Sequence, residues 1–285
     1  MESLRWNDHP KLRRPVLIAA FEGWNDAAES ASGAVEYLGN TWNERMFATI
    51  DPEEFYDFTV VRPQVKLVDG HTREIEWRTT KFAAAVAPGA EHDVVLGHGI
   101  EPNNRWRTFC DNVVAVAQEL DVELVLTLGA LAAEVPHTRP VQVTGTGSDP
   151  ELIEKLGLRR SRYEGSTGIV GVLHTRFATA GIKSASLWAA VPHYVSQQPS
   201  PKATLALSQR AAEIIGATLV PTDLEIAVSS YERQVDEMIE ADEDIASYVH
   251  GLERVLDDGG DDFERDRFDI AAEAERFLRD QGGRS

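Results

Sequence analysis

One cysteine in 285 residues, Cys110, leaves no intramolecular disulfide to form, and no Cys/His cluster has the spacing of a zinc site. That poverty fits a reducing compartment. Long apolar runs are missing too. The first, Val16 to Phe21, stops at Glu22, far short of the roughly 20 residues that cross a bilayer and too short for a signal peptide. The expectation is a soluble cytoplasmic protein with no membrane partner. Cations are scarce: 28 Lys and Arg stand against 47 Asp and Glu, a net charge of -19. Phosphate backbones and anionic lipid would repel such a chain, which argues against nucleic acid as a partner. The deficit is uneven, because residues 222–285 hold 20 acids and 7 bases while residues 1–221 hold 27 and 21.

What is present is a chain 42% hydrophobic and 26% charged, long enough for a sizeable core. Short apolar runs alternate with amphipathic stretches, the pattern of an α/β fold. Strands are predicted at Val16–Phe21, Arg45–Ile50, Asp93–Gly97, Glu123–Leu128, Val141–Gly145 and Ser184–Val191, most of them apolar throughout, as strands covered on both faces should be. Residues 64–78 alternate instead around Asp69-Gly70, which predicts an antiparallel hairpin. Helices are predicted over Asp26–Leu38 and Arg105–Leu120, and helix starts at Asp149-Pro150 and Ser200-Pro201.

From Thr222 the character changes. Leu224, Val228, Tyr231, Val235, Met238, Asp242, Ile245, Val249, Leu252 and Leu256 recur at spacings of four and three, with Asp242 the one polar member. After Asp257–Asp262, a second stretch puts Phe263, Ile270, Ala274 and Phe277 on one face. This predicts two parts: an α/β unit over 1–221 and an acidic helical hairpin over 222–285, its turn at the Asp/Gly run. The seam can pack within the chain or between chains.

Open α/β sheets bind ligands beyond the carboxyl ends of their strands, so the strand exits hold the candidate residues. Glu22, Gly23, Trp24 and Asp26 leave the first strand. A turn and a helix cap account for Gly23 and Asp26, whereas a carboxylate and an indole at one exit point to a pocket. Gly97, His98 and Glu101 leave another strand, with Trp106 just inside the next helix. If the two strands are neighbours, Glu22 and Glu101 share a rim and could bind a cation or share a proton. His98 reads either as a loop histidine satisfied by backbone or as a general base. Gly129 follows a strand, Glu164 and Ser166 sit in a glycine-flanked turn, and His193 closes the last strand. Glu164-Gly165-Ser166-Thr167-Gly168 lacks the first glycine of a hydrolase elbow. No GxxxxGK[ST], GxGxxG or HExxH is present. No catalytic residue and no cofactor is assigned.

Together, Glu22-Gly23-Trp24-Asn25-Asp26-Ala27, Gly99-Ile100-Glu101-Pro102 with Trp106, Gly129, Tyr163-Glu164-Gly165-Ser166-Thr167-Gly168 and Pro192-His193-Tyr194 resemble the bacterial branch of the proteasome assembly chaperone 2 family, over about residues 15–220. The C-terminal segment looks like the extension of its actinobacterial-type members. The resemblance implies a three-layer α/β/α body similar to purine nucleoside phosphorylases, a homo-oligomer with a trimer favoured, and proteasome subunits as one possible protein partner. It brings no settled activity. The tail Gly282-Gly283-Arg284-Ser285 lacks the hydrophobic-Tyr-any tripeptide with which some members dock. A binding or assembly protein is the first expectation, and a small-molecule enzyme or sensor for a nucleoside, phosphate or carboxylate at the Glu22–Glu101 rim is the second.

Overall fold

The computed structural model describes residues 3–158 and 164–258 of the chain. Its strands are β1 (Leu4–Trp6), β2 (Val16–Glu22), β3 (Arg45–Ile50), β4 (Gln64–Val68), β5 (Thr72–Glu76), β6 (Thr80–Val86), β7 (Asp93–Ile100), β8 (Leu124–Ala133), β9 (Val143–Gly147) and β10 (Ser184–Pro192). Its helices are α1 (Ser30–Thr41), α2 (Trp106–Glu119), α3 (Pro150–Lys155), α4 (Ile169–Thr179), α5 (Pro201–Ile215), α6 (Thr222–Glu240) and α7 (Glu243–Asp258). Eight strands form one sheet in the order β1-β3-β6-β7-β2-β8-β10-β9. The central four, β7-β2-β8-β10, are parallel, and the flanking strands pair antiparallel. β4 and β5 form a separate hairpin, as the alternation predicts.

The layering follows from β2. Val16, Ile18 and Ala20 enter the core on the side of α1 and α5, and Leu17, Ala19 and Phe21 enter the core on the side of α2 and α4, because successive side chains point to opposite faces. A strand apolar on both faces needs helices over both. The body is therefore the expected three-layer α/β/α sandwich.

Several elements differ from the sequence expectation. β6 reads Thr-Lys-Phe-Ala-Ala-Ala-Val, whose alanines give no strand signal. It is a strand because β3 and β7 pair with it on either side. β7 and β8 run three and five residues past the predicted ends at Gly97 and Leu128, so His98 and Gly129 lie within strands and not in loops or turns. β9 takes in Thr144-Gly145-Thr146-Gly147, which makes that small-residue run a sheet edge rather than a phosphate-cradling loop. These glycines serve close packing: a Cβ on Gly129 would sit 2.7 Å from the Trp188 ring and one on Gly145 would sit 2.6 Å from the Ser186 carbonyl oxygen. The helix predicted from Asp26 begins at Ser30, after a 3-10 turn with Ala28 and Glu29 at φ of 54° and 50°. Asp26 still caps it across the kink, accepting from Ala31 N at 2.6 Å and Ser32 N at 3.2 Å.

The long C-terminal helix breaks at the one polar member of its seam. The Asp242 carboxylate accepts from the backbone N–H of Asp244 and Ile245, at 3.0 and 3.2 Å, and caps α7. α7 then folds back on α6, burying Tyr231, Val235, Ile239 and Val249 together with Val195 of the body. Among the described residues a helical hairpin has its turn at Ala241–Asp242; most of the Asp257–Asp262 run, where the sequence places a turn, lies outside the described residues. The arm predicted over 263–277 lies outside the described residues.

Candidate functional site

β2 and β7 are neighbours in register, Glu22 opposite Ile100, and Glu101 N donates to the Glu22 carbonyl at 2.9 Å. The two carboxylates thus leave adjacent strand ends, as expected, yet their side chains serve different layers. Arg78, at the foot of the β4–β5 hairpin, holds both Glu22 oxygens at 2.5 Å. His98 Nε2 lies 3.8 Å from the same carboxylate. Burial lowers the His98 pKa despite the opposing pull of Glu22, so the ring is neutral near pH 7 and Arg78 is the cation that balances Glu22.

Glu101 turns toward α4. Its Oε1 accepts from Ile169 N at 2.7 Å, the first residue of that helix, and from Asn25 Nδ2 at 3.0 Å, while the backbone N–H of Trp24 also binds the carboxylate. Burial raises the Glu101 pKa, and these three donors oppose the rise. Glu101 is the acidic cap of α4 supplied from another strand. Gly23, at φ +121°, lets the chain pass: a Cβ there would lie 3.3 Å from Glu101 Cβ. Gly168 is equally constrained, because a Cβ would fall 2.1 Å from Asn25 Nδ2.

The other candidates fall around this centre. Asp26 is buried, and burial raises its pKa against the bonds from Ser32 and Ala31. Trp106 packs on the α2–α4 core, and its indole N–H donates to the Pro102 carbonyl at 2.6 Å. Gly97 is wedged between Ala19 and Phe82. Glu164 and Ser166 are exposed in the segment before α4, and Tyr163 lies outside the described residues. His193 is away from the rim, edge-on to Tyr194 and to Tyr248 of α7. Gly129, in β8, packs against Trp188, and the next residue, Ala130, donates its backbone N–H to the Asn25 carbonyl at 2.8 Å. What converges is Glu22, Gly23, Trp24, Asn25, His98 and Glu101, with Arg78 added by the structure.

A second polar centre escapes the sequence. His137, 4% exposed, has Nδ1 2.8 Å from the Tyr194 hydroxyl and Nε2 2.8 Å from Asp236 Oδ1 of α6. Asp236 accepts only, so Nε2 carries the proton. The Tyr194 hydroxyl accepts from His137 N at 2.8 Å and donates its own proton to Nδ1. Beside this relay lies a cavity of about 20 Å³ lined in part by His137, Arg139, Ser200, Lys202 and Tyr231, room for about one water. The only sequence signal is a histidine between Pro136 and Pro140. Its partner is 99 residues away. Among the described residues, no group of three or more His, Cys, Asp or Glu is placed to hold a metal ion, and no helix is long and apolar enough to cross a membrane.

The fold is shared with known proteins. The crystal structure of a PAC2 family protein from Streptomyces avermitilis is similar at 47% identity and TM-score 0.77, covering 82% of this chain and 99% of that one. The Mycobacterium tuberculosis proteasome-assembly chaperone homologue Rv2125 is similar at 45% identity and TM-score 0.75, with the same coverage of both chains. The Mycobacterium tuberculosis protein of unknown function Rv2714 is similar at 27% identity and TM-score 0.81, covering 92% of this chain and 94% of that one. No curated protein matches. The profile of the PAC2 family matches residues 20–239, from β2 through α6, and the chain belongs to that family.

Proposed function

We propose that this protein is a homo-oligomeric assembly factor of chaperone type, without a reaction of its own, working in the cytoplasm, with proteasome subunits the first partners to test. The observation that carries the reading is the 45% identity, across nearly the whole of the relative, with a proteasome-assembly chaperone homologue. The rim agrees with it: Glu22 is balanced by Arg78, Glu101 caps α4 and Asp26 caps α1. The three acids that could have done acid/base work are held in structural bonds. Self-association is supported by the β4–β5 hairpin, where Val65, Leu67 and Ile75 are 55 to 61% exposed on one face of a two-stranded ribbon, too small to be stable unsupported. A trimer of chains, each an α/β unit to residue 221 with a helical extension, is the assembly proposed.

A second reading rests on Asn25. Its side chain is 1% exposed and its Oδ1 has no hydrogen-bond partner among the described residues, a cost a ligand bearing an N–H donor would remove. That reading makes the rim a small-molecule site.

Native mass spectrometry of the tagged full chain, isolated gently from its own host, separates the two. A trimer retaining other protein subunits is the expected result. A stoichiometric small ligand and no retained protein would overturn the assembly reading in favour of the rim.

A further inference from the structure

His193 follows β10 and takes no part in the rim. Its ring meets two others where α7 lies on the body. The centroids of His193 and Tyr194 are 5.6 Å apart at an interplanar angle of 84°, those of His193 and Tyr248 5.5 Å apart at 84°, and those of Tyr194 and Tyr248 6.4 Å apart at 86°. Three planes at right angles in pairs are the walls of a corner. The corner is at the surface: Tyr248 is 39% exposed, His193 is exposed and Tyr194 is half-buried. Its inner wall is fixed from behind. The Tyr194 hydroxyl accepts from His137 N at 2.8 Å and donates to His137 Nδ1 at 2.8 Å, and Asp236 holds the far side of that imidazole. The buried relay thereby positions a ring, and a wall already held in place loses little freedom when a ligand settles against it.

The charge around the corner has one sign. Residues 222–258 carry 12 acids and 2 bases. Asp244 stands four residues before Tyr248 on α7, hence on the same face of that helix. Burial raises the Tyr194 pKa and the nearby Glu253 adds to the rise, so an acid is felt at the inner wall as well. The body cations Arg139 and Lys202 are taken up by Glu253, Asp257 and Glu232. An anion is repelled from such a place and a cation is drawn to it.

We propose that His193, Tyr194 and Tyr248 form a cation–π site for an alkylammonium group, as on a lysine side chain or a methylated amine. No two centroids are more than 6.4 Å apart, so one ammonium on the solvent side lies within about 6 Å of all three, the range in which a ring attracts a cation. The carbon atoms next to the nitrogen rest on the rings, and the acids supply the longer-range attraction. This site is separate from the rim and stands whether or not the protein assembles anything.

The test is a titration of the full chain followed by the proton resonances of the probe. Tetramethylammonium chloride and n-butylammonium chloride are the charged probes, tert-butanol is a neutral one of similar size, and sodium chloride holds the ionic strength constant. Saturable binding of an ammonium is expected, with its methyl or methylene protons shifted upfield by the rings, and tert-butanol should bind at least about fivefold more weakly. Tighter binding of tetramethylammonium assigns the site to methylated amines, and tighter binding of butylammonium assigns it to primary amines of the lysine type. Tyr248→Leu should weaken binding about fivefold, while Tyr248→Phe should hold it within about twofold, because the ring and not the hydroxyl carries the attraction. No saturable binding, tert-butanol bound as tightly as the ammonium, or a Tyr248→Leu chain with the parent affinity overturns the site. The comparison of charged and neutral probes on the parent chain needs no variant to fold.

Discussion

Gly129 shows what a single missing side chain does in this fold. It sits opposite Trp188 on neighbouring parallel strands, and a methyl group would enter the indole at 2.7 Å. Neither strand can shift, because both are central to the sheet. Gly129→Ala is therefore expected to cost about 1–3 kcal/mol, the ordinary price of overpacking a core, read as a lower denaturation midpoint at unchanged slope. Cys110 makes a chemical prediction at the same scale. Burial on the inner face of α2 pushes its thiol up to about 12. The raised value means that folding favours the neutral thiol, and reactivity follows the thiolate. A thiol reagent at pH 8 should leave the native protein unlabelled and titrate one equivalent in denaturant. Rapid native labelling would mean that α2 opens readily.

Among elements, the α6–α7 turn separates what the sequence tells from what it does not. The periodicity of four and three is plain through Leu256, and the buried members Tyr231, Val235, Val249 and Leu252 lie on it. Asp242 reads as a flaw in that stripe, yet it is the cap that ends one helix and starts the next. Periodicity reports a face and is blind to a reversal that keeps the face inward. Replacing the cap tests this: Asp242→Ala should destabilise the α6–α7 pair by about 1 kcal/mol, with faster hydrogen exchange at 243–246 and none of that effect in β2 or β8. The strands teach a parallel lesson. Arg45–Ile50 is legible to the residue because its apolar residues are mostly large or β-branched, whereas β7 and β8 run past, and β9 lies two residues beyond, the bounds the sequence predicts, because glycine reads as a turn signal. In this sheet Gly97 and Gly129 mark close approach between elements. The rim is half legible for a related reason. The adjacency of Glu22 and Glu101 follows from two central strands, but Arg78, fixed by the irregular foot of the β4–β5 hairpin, and the His137–Asp236 pair, fixed by tertiary docking, leave no local pattern.

For the molecule as a whole, self-association has to contend with a net charge of -19 per chain. Copies of such a protein repel one another, so an interface belongs where acid is least dense and apolar surface is available. The segment 60–78 meets both conditions: it holds Arg62, Lys66, Arg73 and Arg78 against Asp69, Glu74 and Glu76, and it carries exposed Val65, Leu67 and Ile75. Register puts Val65 opposite Ile75, which gathers these side chains on one face of the ribbon. Burying a side chain of that size contributes about 1.5–3 kcal/mol, and a carboxylate in its place adds a like charge to an already acidic pair of surfaces. Leu67→Asp with Ile75→Asp is thus expected to weaken the proposed trimer by at least about 3 kcal/mol, more than a hundredfold in association, without loss of the fold, since the ribbon makes no strand pairing with the main sheet. Light scattering with far-ultraviolet circular dichroism reads both quantities. A variant that stays trimeric would place the contact elsewhere on the body, and one that unfolds would show that the ribbon supports the chain it projects from.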